Sequence, residues 1–317
     1  MLIDILLLLV GFVALIYGAN ALVDAASSLA ARWGVPSIVI GLTIVAFGTS
    51  APELVVNVFA ATTGSTDMVL GNVLGSNIFN VLGILGISAL IYPLTVKSNT
   101  TWIEIPLSLL AAICVFVIAS DVVLDGATTN LISRSEGIVL LLFFLIFLVY
   151  NLMVAKSGGA DEEIETKSYS VGKAILFIIL GLAGLVIGGR LIVTSAVSIA
   201  EVIGLSERVI GLTVVSIGTS LPELATSVIA VRKKNVDIAI GNVVGSNIFN
   251  IFLILGISGT IVPLDINPAT FFDILVNIVT GLLLFIFVFT GRGRSIERWE
   301  GAVFVMGYVA YVTYLII

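Results

Sequence analysis

Apolar stretches of about twenty residues follow one another along this chain. They lie near 2–23, 36–61, 68–92, 102–120, 136–155, 171–200, 208–231, 237–262, 269–290 and 299–317. A helix needs roughly 20 apolar residues to cross a bilayer. The pattern therefore predicts an all-α membrane protein of ten transmembrane helices. One long hydrophilic break, KSGGADEEIETKSYS at 156–170, divides the chain into 1–155 and 171–317. Each part holds five spans. Because five is odd, the second half must enter the membrane from the opposite side, which predicts two inverted five-helix repeats.

The halves are related in sequence. Residues 41–94 (GLTIVAFGTSAPELVVN…GNVLGSNIFNVLGILGIS) align without a gap with 211–264 (GLTVVSIGTSLPELATS…GNVVGSNIFNIFLILGIS), and 30 of the 54 positions are identical. The likeness continues outside this core, where Gly11 matches Gly181 and Gly18 matches Gly188.

Composition and charge sharpen the picture. The chain of 317 residues is 59% hydrophobic and 11% charged, a balance that excludes a soluble domain. Loops on the side of the 156–170 linker carry Arg32, Lys97, Lys156, Lys167, Lys173, Arg232, Lys233, Lys234, Arg292, Arg294 and Arg298, and the other side carries Arg134 and Arg208. By the positive-inside rule the linker is cytoplasmic and both termini are extracellular. Arg190 falls inside the sixth span and receives no role. The N-terminal stretch MLIDILLLLV has no basic segment, so we read it as a retained first span. There is no histidine, and the single Cys114 has no partner for a disulfide. No basic patch is interleaved with aromatics, so nucleic-acid binding is not expected. The acidic run Asp161, Glu162, Glu163 and Glu165 reads as solvated linker. Asp24, Asp121 and Asp125 read as solvated span ends.

The duplicated core carries the chemistry. In GTSAPEL (48–54) and GTSLPEL (218–224), proline cannot donate to the helix ladder and glycine adds freedom four residues earlier. Spans two and seven should therefore break, opening carbonyls near Ala46–Thr49 and Ser216–Thr219. Such backbone is tolerated at membrane depth only where it is buried or lines a cavity. Glu53 and Glu223 follow one turn later, and Thr49, Ser50, Thr219 and Ser220 add hydroxyls. In the second motif Ser76 and Asn80, and likewise Ser246 and Asn250, are spaced i, i+4 on one helix face. Carboxylate, carbonyl, hydroxyl and amide oxygens, with no nitrogen or sulfur donor, suit Ca2+ and Na+ and argue against zinc or copper. Two unpaired, charged glutamates in a membrane cost roughly 5–7 kcal/mol on insertion scales, and a bound cation removes much of that.

At these motifs the chain resembles the cation/Ca2+ exchanger superfamily, in particular the prokaryotic Na+/Ca2+ exchangers, over nearly its whole length. The resemblance implies a secondary antiporter working by alternating access. It would exchange three Na+ for one Ca2+ at a central cluster of sites, with no enzymatic activity and no cofactor. Glu53 and Glu223 would bridge the sites, and the Thr49 and Thr219 carbonyls would complete the Ca2+ site. The Ala46 carbonyl with Thr49 and Ser76, and the Ser216 carbonyl with Thr219 and Ser246, would form two peripheral Na+ sites. Asn80 and Asn250 would face the middle, with Ser50 and Ser220 nearby. Helices one and six would slide across the core to switch access. Asparagine at 250 leans against K+ dependence, and the linker is too short for a large Ca2+-sensing domain. A Ca2+/H+ exchanger using the same glutamates is the runner-up. The expected partners are the two ions and the lipid bilayer, and the expected state is a monomer.

Overall fold

The structure is a computed structural model and describes residues 2–157, 167–202, 216–291 and 293–316. The acidic run at 161–165, Arg208, Arg292 and residues 211–215 at the start of the second copy lie outside the described residues. Twelve helices organise the description. The first half holds α1 (Leu2–Trp33), α2 (Ser37–Thr49), α3 (Ala51–Thr62), α4 (Thr66–Ile91), α5 (Thr100–Ile118) and α6 (Arg134–Ser157). The second holds α7 (Val171–Val202), α8 (Ser216–Thr219), α9 (Leu221–Arg232), α10 (Val236–Ile261), α11 (Thr270–Phe287) and α12 (Arg298–Ile316).

Among the described residues seven helices are long and apolar enough to cross a membrane, or eight when the bent pair α2–α3 counts as one span. The first helix runs ten residues past its apolar stretch. It can do so because its polar end, from Asn20 to Ser28, packs against α9 and the residues before α7. The all-α expectation also misses two short ladders. Leu94–Thr95 pairs antiparallel with Ser295–Ile296, and Leu131–Ile132 with Leu264–Asp265, clipping loops of the two halves together.

The burial pattern is reversed relative to a soluble fold. Leu2, Leu6, Leu9 and Val13 on α1 and Leu142, Leu145 and Ile146 on α6 are exposed, as lipid-facing side chains should be. The centre instead buries Thr49, Ser50, Glu53, Ser76, Asn77, Ser220, Glu223 and Asn242. The helices α4 and α10 are the inner staves; every residue from Ile238 to Phe252 is buried. Each widens into π-helical turns directly after its GSNI motif, at Phe79–Leu85 and Phe249–Leu255. Such turns are rare and gather at functional sites.

Contacts cross between the halves more than within them. Along the α1–α7 seam a Cβ placed on Gly11 would lie 2.9 Å from the Gly188 carbonyl, and one on Gly18 2.8 Å from that of Gly181. The two backbones can touch only because no side chain intervenes.

Candidate functional site

The breaks fall where the sequence places them. Pro52 occupies the first turn of α3 and Pro222 that of α9, leaving the carbonyls of Gly48 and Gly218 with no N–H four residues on. The joints are Ser50 (φ −82°, ψ 4°) and Ser220 (φ −91°, ψ 10°), and α2 and α3 bend by 47°. Two details differ from expectation. The Ala46 carbonyl is not opened, because the Ser50 N–H still bonds to it at 2.9 Å; the break begins later than predicted. The glycines serve packing rather than backbone freedom. Neither has a positive φ, and a Cβ would meet Leu182 of α7 at 2.4 Å from Gly48 and Val193 at 2.1 Å from Gly218.

The bend points the first turns of α3 and α9 at each other. Glu53 and Glu223 are each 1% exposed. Ser50 donates to Glu223 Oε1 at 3.1 Å, and Ser220 donates to Glu53 Oε1 at 3.3 Å, so each half supplies the hydroxyl for the other half's carboxylate. The threonines cross over in the same way. Thr49 Oγ1 reaches Asn242 Oδ1 at 3.0 Å and Thr219 Oγ1 reaches Asn72 Oδ1 at 3.4 Å. Ser76 Oγ stands 3.1 Å from Ser220 Oγ.

A second polar layer lies on α4 and α10. Asn80 donates to Asn247 Oδ1 and Asn250 to Asn77 Oδ1, each at 2.9 Å. Asn80 and Asn250 are thus bonded into an asparagine cluster, with no hydrogen bond to either glutamate. Ser246 is buried with its hydroxyl unpartnered. Ser216 opens α8, and its side chain lies outside the described residues. The hydrogen bonds gather Thr49, Ser50, Asn242 and Glu223 in one group and Glu53, Ser76 and Ser220 in another, with Thr219 on Asn72.

Four residues of the site were missed in the sequence: Asn72, Asn77, Asn242 and Asn247. Their signal was available, since all four sit at identical positions of the duplicated GNVxGSNIFN motif. Asn242 is the most connected, donating to the Glu223 carbonyl at 3.2 Å and to Ser227 Oγ at 3.0 Å while accepting from Thr49.

The electrostatics are one-sided. Glu53 Oε2, Glu223 Oε2, Asn80 Oδ1 and Asn250 Oδ1 are buried acceptors without a donor. Among the described residues neither glutamate forms an ion pair. Each such orphan costs about 1–3 kcal/mol, and more when charged. A cluster of oxygen acceptors short of donors is matched by a hard cation.

The comparisons with known proteins agree on what kind of molecule this is. The family model described as sodium/calcium exchanger protein matches residues 3–153 and 173–317. The inner membrane protein YrbG of Escherichia coli (strain K12) is 37% identical over 99% of this chain and 97% of its own. The sodium/calcium exchanger MaX1 of Methanosarcina acetivorans is 36% identical over 99% and 98%. A solved structure of the sodium-calcium exchanger NCX_Mj, soaked with 10 mM Na+ and zero Ca2+, superposes with a TM-score of 0.83 at 32% identity, covering 99% of both chains. The chain is a multi-pass membrane transporter and belongs to the sodium/calcium exchanger family.

Proposed function

We propose that this protein exchanges Na+ for Ca2+ across the cell membrane by alternating access, three Na+ for one Ca2+. The observation that carries the reading is the facing pair of buried glutamates, each with one oxygen bonded across the halves and one oxygen free. In this reading Glu53 and Glu223 hold Ca2+ between them, completed by the Thr49 and Thr219 carbonyls. Ser76 with Thr49, and Ser246 with Thr219, hold Na+ on either flank, helped by the Ser216 carbonyl and by the Ala46 carbonyl, which keeps its helical bond and lends its second lone pair. Asn80 and Asn250 turn their free oxygens to the middle, and Ser50 and Ser220 orient the carboxylates.

The same reading takes the chain as ten spans in two inverted halves, 1–155 and 171–317. It counts α8 and α9, with residues outside the described set, as the seventh span and α12 as the tenth. The linker is cytoplasmic and the termini are extracellular. The offset of 170 supports the repeat: it relates the two breaks, the two carboxylates and both π-helical segments. The glycine seam between α1 and α7 supports the sliding of those helices as the access switch.

Uptake of radiolabelled Ca2+ into proteoliposomes loaded with Na+ and diluted into choline medium tests the proposal. Uptake should require internal Na+ and vanish in Glu53→Gln. Uptake indifferent to Na+ and driven by a pH gradient would establish the Ca2+/H+ alternative, with the glutamates as proton carriers.

A further inference from the structure

One end of α1 is tied down by two different segments. Asp24 Oδ1 lies 2.8 Å from Lys233 Nζ, just past the end of α9, and Asp24 Oδ2 lies 2.9 Å from Lys167 Nζ, in the residues leading into α7. The Lys233 ammonium also donates to the Asn20 carbonyl at 3.2 Å. Asn235 donates to Ser27 Oγ at 2.8 Å, and the Tyr169 N–H to Ser28 Oγ at 2.9 Å. The ties border a cleft of about 1150 Å3 lined by Tyr17, Asp24, Lys167, Phe177 and Lys233 among others. The side chain of Asp24 is only 17% exposed, so the solvated reading of its sequence position does not hold. The hydrogen bond it donates to Asp24 raises the Lys167 ammonium above its ordinary range.

The internal repeat supplies a control for this feature. Shifted by 170 residues, Asp24 corresponds to Thr194 and Lys233 to Thr63. Thr63 Oγ1 bonds back to its own helix, to the Phe59 and Ala60 carbonyls at 3.0 and 3.1 Å. Lys167 belongs to the linker, which has no second copy. The ion-pair tie is therefore built at one end of the molecule and absent, among the described residues, at its quasi-equivalent. The seam it restrains is the α1–α7 contact, where glycines of both helices bring the two backbones together.

We propose that the Asp24–Lys167–Lys233 cluster is a one-sided latch. It ties α1 to the linker and to the end of α9, and so favours one access state over the other. The inference rests on the alternating-access reading above. Two partly exposed ion pairs shift such an equilibrium roughly 2- to 10-fold.

The test compares the apparent KM for Ca2+ on the linker side of proteoliposomes with that on the opposite side. Asp24→Asn should change the ratio of the two by about 2- to 10-fold. Adding Thr63→Lys with Thr194→Asp to that variant, which moves the tie to the other end, should shift the ratio the opposite way. An unchanged ratio in well-folded Asp24→Asn overturns the latch, as does a shift of both variants in the same direction. If Asp24→Asn does not fold, Lys167→Gln serves, with a smaller shift in the same sense and the same overturning result. If the wild-type protein shows no Na+-coupled Ca2+ flux, the exchange reading fails by itself. The tie is then judged by hydrogen exchange, where Asp24→Asn should speed exchange in residues 20–33, and equal exchange overturns it.

Discussion

The two copies of the core are bonded to each other at the centre and differ where their helices end. At the centre the bonds are reciprocal: Ser50 to Glu223 and Ser220 to Glu53, Thr49 to Asn242 and Thr219 to Asn72. Where the same helices end, Thr62-Thr63-Gly64 in one copy stands against Arg232-Lys233-Lys234 in the other. Gly64 takes φ +78° with no steric cost, whereas Lys234 takes φ +59° as a residue that rarely adopts it. On the alternating-access reading, a site that serves both faces of a membrane gains from halves of equal chemistry. The ends touch different surroundings and are free to differ, and that is where the proposed latch sits.

The comparison breaks most visibly at the carboxylates. Glu53→Gln and Glu223→Gln should each lower Ca2+ transport at least about 100-fold while the protein still folds. That is the scale expected when a charged partner of a buried ion is removed. Wild-type exchange in either variant would remove the glutamates from the site. Acid is the next largest effect. A protonated carboxylate cannot hold Ca2+, so transport should fall steadily as pH is lowered, and a flat profile into acid would contradict the assignment. Gly18→Val, which drives a side chain into the Gly181 backbone, should cost about 1–3 kcal/mol and lower the Tm in detergent. An unchanged Tm would mean that the seam is looser than its contacts. The smallest effect probes the unequal asparagines. Asn242→Ala breaks three hydrogen bonds and should lower the Tm more than Asn72→Ala, which breaks one to Thr219 and removes an unpartnered amide nitrogen. Equal losses would place the two halves on the same footing here as well.

Much of this was legible in the sequence, and the limit follows from distance along the chain. Helix breakers act locally, so Pro52 and Pro222 fix the joints, and the duplicated glutamates mark the site. Hydrogen-bond partners across the halves are not local. Nothing near Thr49 names Asn242, 193 residues away, as its acceptor. Asp24 read as solvated because its two lysines lie 143 and 209 residues further on. The Ala46 carbonyl stays closed because Pro52 removes only its own N–H, and the carbonyl this frees is that of Gly48. The π-helical turns at Phe79–Leu85 and Phe249–Leu255 leave no mark in the apolar pattern of the sequence.

The crossing of bonds between halves also fixes an order of events in biosynthesis. Ser220, which bonds to Glu53, is made 167 residues after it. At synthesis rates of 5–20 residues per second that interval lasts about 10 to 30 s. Throughout it the hydroxyl donor of the Glu53 carboxylate does not yet exist. The centre is thus completed only once the second copy of the motif has been made. A chain interrupted before Ser220 therefore lacks the hydroxyl that covers Glu53, however well its first half has folded.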